Sequence, residues 1–525
     1  MHDMDLSRLL MSGLRILVIL AVALPVGLAG CGAVPTAPPS ATASPPASPT
    51  PTPHPTDPGQ EDPMVTIYPA DGLDRYRSKS WAVEILDGDA WRPAYPLART
   101  NKSINYWHQG QDATVSFLTF ATTGEVRVRI TRLKGDIGTL EISPLNRKVQ
   151  AAVEGDTAEF AMNPLDKFWV IADGEDADSL VLFADPPVEP PGKDDLYFGP
   201  GVHNIGRGYQ PDNGQTVYID GGAWVLGSFD IRDRNNVTFA GHGVLSGELW
   251  TSQGLLGFRM DFAEAQEYLM IRGYYGRGAS GNSLANLTMV DAPFYFTFGG
   301  LSTIRGAKLL SPWYWSNDGF YVSPDVLTNE ALVIDCFAFT DDNVFFPLQS
   351  HFGNITVRDC FVSTTANNIF CMSYWPGPLD HDYRYTAQNI DVKLFSHYNP
   401  HAVFQLILDG RDGQDGMGTK NQFFEDIRIE GNPTAPLIDI QNQPYPWGGD
   451  PESPTTGNSY NIHFKDIVLY GRPGKKSVIL GRDAENGHHD YFFDNLVIDG
   501  IRLTPDNFDD FFETNEYISN IRNVR

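Results

Sequence analysis

Cysteine is scarce in this chain, and its scarcity limits covalent cross-linking. Four of the 525 residues are Cys, and outside Cys31 they are Cys336, Cys360 and Cys371. The favoured interpretation is that these three are buried thiols acting as small hydrophobic side chains. A disulfide between Cys336 and Cys360 is the less favoured alternative in an extracytoplasmic protein.

Positive charge is also in short supply. The chain has 38 Lys and Arg against 65 Asp and Glu, a formal net charge of −27. Nucleic acids need a basic face that neutralises phosphates, so this composition disfavours them as partners. A polyanionic glycan such as polygalacturonate would likewise need basic residues in its cleft. The charge therefore favours a neutral ligand.

Long apolar runs and long segments with helical periodicity are missing, so an all-β chain is predicted. The one apolar run, from Ile16 to Leu28, is too short to span a bilayer comfortably. It follows Arg8 and Arg15 and ends in Leu28-Ala-Gly-Cys31, which resembles a bacterial lipoprotein signal. We expect a signal peptide at residues 1–30, lipid attachment at Cys31, and an extracytoplasmic protein anchored to the bacterial membrane or cell surface.

Composition divides the rest of the chain into three parts. Residues 31–63 are rich in Pro, Ser and Thr, cannot bury a core, and are predicted to form an extended tether. Residues 64–186 contain short alternating runs between turn residues, which predict an antiparallel β-sandwich domain. A Pro-rich junction follows, and residues 187–525 form the second and larger domain.

The second domain carries an internal repeat. The segment Val333-Ile-Asp-Cys-Phe337 recurs downstream as Val357-Arg-Asp-Cys-Phe361. Asn tolerates the left-handed backbone conformation, so Asn followed by alternating aliphatic residues predicts a turn entering a strand. A period in the twenties without a leucine consensus predicts a right-handed parallel β-helix rather than leucine-rich repeats. The predicted turns lie at Asn236, Asn286, Asn354, Asn389, Asn461 and Asn495.

Three aspartates are expected to meet because of this repeat. Asp318 precedes Asp341 and Asp342 by the length of one repeat, and adjacent rungs of a β-helix are about 4.8 Å apart. Paired carboxyl groups cleave glycosidic bonds: one protonates the leaving oxygen, and the other activates water or attacks the sugar. Like charges at close range should keep one member protonated near neutral pH. Each motif alone is also typical of a solvated turn, but their joint spacing favours a site.

The same residues support a family resemblance. Asn317-Asp318-Gly319 with Asp341-Asp342, on a β-helix behind a β-sandwich, resembles the polygalacturonase-like clan of glycoside hydrolases. Within that clan the chain most resembles glycoside hydrolase family 49, the dextranases and isopullulanases. Three further segments resemble the entry coils of those proteins, at 197–203, 217–224 and 241–247.

The resemblance implies roles for the aspartates. Asp341 would be the general acid, and Asp318 with Asp342 would be the base pair that polarises water and inverts the anomeric carbon. A partner one rung away would by itself fit the roughly 5 Å of retaining enzymes, whereas inversion needs about 6.5–9.5 Å between carboxyls. Asp341 and Asp342 are adjacent, so both can serve one site only if the strand bulges or turns there.

The chain departs from polygalacturonases at two motifs that help bind uronic acid. Where those enzymes carry Gly-His-Gly one coil after the paired aspartates, this chain has Ala366-Asn-Asn-Ile369. In place of their later Arg-x-Lys it has Asp391-Val-Lys-Leu394. Gly241-His-Gly243 lies far upstream and is predicted to be a turn. Pectin is therefore not the favoured substrate.

Aromatic and polar side chains flank the aspartates and are candidates for substrate binding, because aromatic faces pack on sugar rings. About half of the aromatic ones should instead face the coil interior. No cofactor or metal is expected: the 409–416 segment is interpreted as a flexible cleft loop, and His488-His-Asp490 lacks a third ligand. The substrate-binding candidates are Trp313, Trp315, Asn317, Asn343, His351, Asn368, Tyr374 and Trp375.

These observations favour an inverting, endo-acting glycoside hydrolase that acts as a monomer on a neutral polysaccharide, such as an α-glucan like dextran or an arabinan. Two alternatives stay open: a polysaccharide lyase or polygalacturonase-type enzyme on the same scaffold, and a non-catalytic glycan-binding surface lipoprotein. The enzymatic hypothesis requires the three carboxylates to face one another in a solvent-filled groove. Burial of Asp318, or a position facing away from Asp341 and Asp342, would overturn the enzymatic hypothesis.

Overall fold

The computed structural model describes residues 64–101, 113–255, 260–273, 280–311, 316–347, 353–372, 377–379, 382–395, 402–407, 417–442 and 457–525. The predicted signal peptide, the tether and the 409–416 loop lie outside these ranges. So do six residues singled out by sequence: Cys31, Trp313, Trp315, His351, Tyr374 and Trp375.

The first part of the chain forms two sheets that face each other. The order of the first sheet is β1-β5-β11-β10-β7 with β4 on β5, and that of the second is β3-β2-β6-β9-β8. Their strands are β1 (Val65–Thr66), β2 (Trp81–Asp87), β3 (Ala90–Ala94), β4 (Leu97–Asn101), β5 (Ala113–Thr122), β6 (Val126–Arg132), β7 (Leu140–Ser143), β8 (Ala152–Glu154), β9 (Thr157–Met162), β10 (Lys167–Ala172) and β11 (Asp178–Asp185).

Alternation along the strands builds this sandwich. In β2 the side chains of Trp81, Val83 and Ile85 are buried while their neighbours are partly exposed, and they join one core with residues of both sheets. The pairs are antiparallel as predicted, except β5 with β11, which run parallel. The sequence could not reveal that exception, because alternation looks the same in either direction.

The rest of the chain winds into coils. Short α-helices lie at α1 (Glu248–Thr251), α2 (Phe262–Ala265) and α3 (Phe508–Phe511), and 3₁₀ turns at Asp74–Tyr76, Leu145–Arg147 and Gln266–Tyr268. The strands up to the aspartates are β12 (Leu196–Phe198), β13 (Gly201–Tyr209), β14 (Thr216–Ile219), β15 (Ala223–Asp230), β16 (Thr238–Gly241), β17 (Val244–Ser246), β18 (Ile271–Arg272), β19 (Ser283–Ala285), β20 (Thr288–Val290), β21 (Thr297–Phe298), β22 (Thr303–Arg305) and β23 (Lys308–Leu310).

The later coils continue in the same way. Their strands are β24 (Phe320–Val322), β25 (Glu330–Ile334), β26 (Phe337–Thr340), β27 (Phe345–Pro347), β28 (Gly353–Thr364), β29 (Phe370–Cys371), β30 (Gly377–Pro378), β31 (Tyr383–Lys393), β32 (Phe404–Ile407), β33 (Met417–Glu430), β34 (Ile438–Gln441), β35 (Asn458–Leu469), β36 (Ser477–Leu480), β37 (His488–Ile498), β38 (Ile501–Arg502), β39 (Phe512–Thr514), β40 (Ile518–Ser519) and β41 (Asn523–Val524).

These strands confirm an all-β chain with a right-handed parallel β-helix behind the sandwich. In the part of the chain that the structure describes, one sheet has 23 strands and another has seven, in the order β24-β27-β29-β32-β34-β36-β39. Val333 pairs with Val357 and Phe337 with Phe361, so the sequence repeat is one coil. Inside, the Phe345 and Phe370 rings stack at 5.4 Å. Among the described residues, no helix is long and apolar enough to cross a membrane.

The corners of the coils are held by a ladder of left-handed Asn and Asp residues. Asp359 has φ 59° and Asn389 φ 54°, and the Asn389 amide donates a 2.6 Å hydrogen bond to the Asp359 carboxylate. Asn354 was predicted wrongly as a corner, since its φ is not positive and the left-handed residue of strand β28 is Asp359. The predicted left-handed corners are confirmed at Asn236, Asn286, Asn389, Asn461 and Asn495.

The three described cysteines, Cys336, Cys360 and Cys371, are buried thiols rather than a disulfide, as the favoured interpretation predicted. Cys336 and Cys360 lie on adjacent coils. Burial, followed by the contact with Cys336, raises the pKa of the Cys360 thiol. The Cys360 sulfur is therefore a protonated member of the coil core, and the Cys336 thiol is buried beside it.

Aromatic packing and a buried ion pair fix the sandwich to the β-helix. The Trp169 ring packs edge-on against Phe339 at 4.6 Å, and Lys308 is fully buried and bonded to Asp185. His242 lies in the link between β16 and β17, as the predicted turn requires, and its Nδ1 is 2.7 Å from the Tyr68 hydroxyl. Burial lowers the pKa of His242 to about 4, so this histidine is a neutral part of the interface.

The C-terminal end of the β-helix is covered. The chain reverses after β37, so that β38 pairs with it antiparallel. The α3 helix then places Phe508 over the last rung, 5.9 Å from the Phe493 ring, and Phe512 at 5.1 Å. These rings close the apolar interior at that end.

Candidate active site

The aspartates lie where two neighbouring coils enter the seven-stranded sheet. Asp318 stands two residues before β24, and Asp341 and Asp342 occupy the bend between β26 and β27. Because Phe320 pairs with Phe345, Asp318 lies opposite Asn343. The rung offset is therefore one residue longer here than in the neighbouring repeat.

The bend also explains how two adjacent aspartates can both contribute to one site. Strand β26 ends at Thr340, and residues 341 and 342 are bends rather than strand. The Thr340 and Thr364 hydroxyls both donate to the Asp342 carbonyl, at 3.0 and 2.7 Å. The turn required by the sequence argument is thus present and is held by hydroxyl groups of two coils.

Asn343 connects two of the three carboxylates. Its Nδ2 donates to Asp318 Oδ1 at 2.8 Å and to Asp342 Oδ1 at 3.0 Å. Both oxygens lie within 3.0 Å of one nitrogen, so they are closer to each other than about 6 Å. The Asn367 amide also donates to Asp342. Asp318 and Asp342 therefore form a pair whose spacing is set by amide groups.

Asp341 is held separately. The Thr365 hydroxyl donates to Asp341 Oδ1 at 2.8 Å, and only 2% of the Asp341 residue surface is exposed. Thr365 lies on the same coil as Asn367, so one rung supplies a separate donor to Asp341 and to Asp342. The residues predicted from sequence to form the site did not include Thr365 or Asn367.

Burial is the main electrostatic feature of the site. Asp318 is 4% exposed, and this burial, together with the nearby charges of Asp342 and Asp341, raises its pKa well above the usual range despite the Asn343 hydrogen bonds. The expected open groove is wrong for Asp318 and Asp341, while Asp342 is partly exposed. Of the three carboxylates expected to face one another, Asp318 and Asp342 do so through the shared Asn343 amide. Enzymes use such burial to shift catalytic pKa values.

The amides predicted to bind substrate lie beneath the surface. Asn317 and Asn368 are fully buried and Asn343 is 4% exposed. Asn317 donates to the Ala292 and Phe294 carbonyls at 2.6 and 3.0 Å. These bonds suit positioning of the aspartates rather than contact with a sugar.

Asn368 fixes the orientation of Asn343. Its Oδ1 accepts the Ala402 backbone N–H at 3.0 Å, so its Nδ2 must face the other way, where it donates to Asn343 Oδ1 at 2.9 Å. With that oxygen engaged, the Asn343 Nδ2 is turned toward Asp318 and Asp342. This row of amide hydrogen bonds therefore directs an N–H donor toward each of the two carboxylates.

The polar ladder continues one coil beyond Asn368. The Asn368 Nδ2 also donates to Gln405 Oε1 at 2.7 Å, and Gln405 hydrogen-bonds the Asp439 carboxyl, whose pKa burial raises. Asp391-Val-Lys-Leu394, compared with a polygalacturonase motif, lies elsewhere: Lys393 Nζ donates to Ser143 of the sandwich at 3.1 Å. The fourth rung of the site is therefore at Gln405.

The described residues include no cluster of three or more His, Cys, Asp or Glu side chains placed to hold a metal ion. In the His488-His-Asp490 motif, His488 Nδ1 contacts the Ser459 hydroxyl at 2.6 Å inside the coil. His489 Nδ1 instead contacts Asp490 at 2.8 Å. The two histidines thus make separate protein contacts.

Comparison with known proteins gives similarity of fold. No protein-family model matches the chain, and no curated protein matches its sequence. Dex49A from Penicillium minioluteum is similar with a TM-score of 0.63 at 16% identity, over 86% of this chain and 94% of that one. A family 28 exopolygalacturonase of Yersinia enterocolitica gives 0.41 at 11% identity, over 87% and 96%, too low to carry an argument. The chain therefore shares its fold with Dex49A along most of both lengths.

Proposed function

We propose that this chain is an inverting, endo-acting glycoside hydrolase that cleaves a neutral polysaccharide, such as an α-glucan like dextran or an arabinan. The observation that carries the proposal is the pairing of Asp318 with Asp342 by one amide, with Asp341 beside them. The fold shared with Dex49A supports it. An excess of acidic groups supports a neutral substrate.

The roles follow from the resemblance and from the chemistry of paired carboxyls. Asp341 would donate a proton to the leaving glycosidic oxygen, while Asp318 and Asp342 would orient and deprotonate the attacking water. The raised pKa of Asp318 means that the pair takes up its second negative charge at a higher pH than two free carboxyls would. Asp342, which reaches the surface, would be the member that contacts the water.

Because Asp318 is buried, it is better placed to act on Asp342 than to contact the sugar directly. A buried carboxyl that shares a donor with its partner changes the basicity of that partner without needing access to the substrate. The acid and the base must also be about 6.5–9.5 Å apart to leave room for water in an inverting reaction. Asp341 is held by the Thr365 hydroxyl, whereas Asp318 and Asp342 share the Asn343 amide, so the proposed acid and the proposed base pair have different donors.

The first test is a panel of neutral polysaccharides assayed for reducing-sugar release. The wild-type chain should cleave at least one polymer, and Asp341→Asn should remove the activity while Asp506→Asn, at an exposed site, retains it. Ultraviolet absorbance of an unsaturated product would indicate the lyase alternative. Binding without cleavage by the wild-type chain would indicate the non-catalytic alternative.

The second test addresses stereochemistry. Proton magnetic resonance of the first-formed product reports whether the anomeric configuration is inverted or retained. Inversion is expected because a water molecule, rather than Asp318 or Asp342, would attack the sugar. Retention would contradict the assignment of the pair as the base.

The location of the protein is a separate proposal from sequence alone. The Leu28-Ala-Gly-Cys31 motif supports lipid attachment at Cys31 and display outside the bacterial membrane. Labelled fatty acid should be incorporated by the wild-type chain and not by Cys31→Ser. Incorporation by both would contradict the anchor.

A further inference from the structure

A cavity of about 200 Å³ lies on the coils that precede the aspartates. It is built from the ends of β13, β15 and β18 and from the 3₁₀ turn at Gln266–Tyr268. Five polar residues line it: Arg207, Ser228, Asp230, Glu267 and Arg272. Nothing in the proposed chemistry of the aspartates accounts for it.

Strand register places this cavity in line with the aspartates. Asp230 pairs with Arg272, and Arg272 with Phe298 of the next coil. The Phe298 ring is 5.2 Å from that of Tyr321, which stands three residues after Asp318. Phe298 and Tyr321 belong to a cluster outside the coil core. Arg272, Phe298 and Tyr321 therefore follow one another on three rungs, about 10 Å from first to last along the axis, and Asp318 lies three residues before Tyr321 on the third rung.

The polar groups of the cavity are balanced in charge. Arg272 forms an ion pair with Glu267 at 2.7 Å, and Arg207 holds its guanidinium 5.2 Å from the centre of the Tyr268 ring. Asp230 accepts from Arg232 Nε at 2.9 Å. Two arginines therefore stand with two carboxylates around one space.

Such a lining selects a neutral, hydroxyl-rich ligand. Guanidinium groups donate, carboxylates accept, and a sugar hydroxyl can do both. A uronate would find Arg272 already paired with Glu267 and would meet a second lining carboxylate at Asp230, so it would gain little net attraction. The volume is below the roughly 300–1,000 Å³ of common ligand pockets, so the cavity suits a single sugar residue.

We propose that this cavity is a distal subsite that binds one residue of the neutral polysaccharide whose scissile bond lies at the aspartates. The inference rests on the proposed function and deepens it by assigning recognition to the Arg272–Glu267 pair. A substrate chain would run along the helix axis from this pair, past Phe298, to Asp342. The enzyme would then prefer substrates long enough to cover both places.

Kinetics on a series of oligosaccharides of increasing length, prepared from the polymer that the wild-type chain cleaves, test this subsite. Glu267→Ala and Arg272→Ala should each lower kcat/KM about tenfold on the longest members, as loss of a charge-assisted hydrogen bond does. The loss should diminish as the chain becomes too short to span two rungs. The positions of the bonds cleaved in long substrates should shift as well.

A matched control breaks an ion pair on another face. Arg305→Ala removes a 3.2 Å contact with Asp335 at a coil corner and should change neither chain-length preference nor cleavage positions. If Glu267→Ala lowers kcat/KM equally on short and long substrates, the pair is structural and the subsite is refuted. Unchanged kinetics on every length would refute it too.

Binding separates this inference from the hydrolase proposal. Native electrophoresis in gels containing each neutral polysaccharide of the panel compares Asp341→Asn with the double variant that also carries Glu267→Ala. Retardation that depends on Glu267, without cleavage by the wild type, would support the cavity and overturn the hydrolase. Cleavage by the wild type, together with retardation that does not depend on Glu267, would support the hydrolase and overturn the cavity as a subsite. Neither binding nor cleavage on any member would overturn both.

Discussion

Replacing Asn343 with Ala is expected to move the pH dependence of catalysis to higher pH. The Asn343 amide donates to Asp318 at 2.8 Å and to Asp342 at 3.0 Å. Donors of this kind favour the ionised carboxylate and lower its pKa. In Asn343→Ala the carboxyls lose that donor, so the pKa of Asp318, already raised by burial, rises further. The base pair then ionises only at higher pH.

The size of the shift follows from the bonds that are lost. A hydrogen bond to a charged group contributes about 1.5–3 kcal/mol, and one pKa unit corresponds to about 1.4 kcal/mol. Loss of the side-chain donor should therefore raise the acidic limb of the kcat/KM profile by about 1–2 pH units. Asn343 also supplies a backbone N–H to Asp318, which Ala retains, so the shift should stay within that range.

The assay is the pH profile of kcat/KM on the polysaccharide that the wild-type chain cleaves. Asn282→Ala is the matched control: Asn282 is also a buried amide, bonded to the Arg234 and Gly300 carbonyls, but it touches none of the aspartates. Asn282→Ala should lower the stability of the protein without shifting the acidic limb of the kcat/KM profile. A uniform fall in kcat/KM at every pH for Asn343→Ala, with the limb unmoved, would refute the reasoning.

Three further predictions concern stability. The folded pKa of Asp318 is raised, so the stabilisation that this carboxyl gives the folded state is fully present below its unfolded pKa of about 4 and is lost as pH rises. Asp318→Asn should therefore raise the Tm at pH 7 but not at pH 4. Lys308→Met leaves Asp185 buried and unpaired and should cost about 3–5 kcal/mol in urea unfolding, whereas Lys465→Met at an exposed pair should cost far less. Trp169→Ala removes the ring that packs between the sandwich and the β-helix and should lower the free energy of unfolding by about 3–5 kcal/mol. An unfolding free energy within error of wild type for Lys308→Met or Trp169→Ala would contradict the packing argument.

The solenoid could be predicted because its corners use residues with a particular backbone tolerance. Asn and Asp adopt the left-handed conformation more readily than other side chains, so Asn286 and Asn389 marked real corners. The same tolerance at Asp335 and Asp359 was overlooked, although both residues sit inside the repeated motif. Asn354 was misplaced because Asn also occurs in extended strands.

The aspartates could be brought together from sequence, but not the rest of their surroundings. Phe345, Phe370, Phe404 and Ile438 occupy one column of the coil, yet the chain between successive members is much longer after Phe370 than before it. Loops of different length between rungs hide the periodicity from that point on. Gln405 and Asp439 therefore could not be aligned with the aspartates until the strand pairing was known.

Burial could not be predicted either. The sequence of the Asp341 and Asp342 pair reads as a solvated turn, and only the bend between β26 and β27 turns Asp341 inward while Asp342 reaches the surface. Whether an amide meets substrate or protein depends on such details. Asn368 illustrates this, since both ends of its amide are engaged by neighbouring rungs.

The covered C-terminal end has a consequence for handling this protein. A stack of parallel strands ends in unpaired backbone groups that invite another molecule to continue it. Here the short strands β38, β39, β40 and β41 pair with β36 and β37, and the Phe508 and Phe512 rings cover the apolar interior. Truncation after Ile498 would offer a bare template, and such molecules should join end to end into filaments.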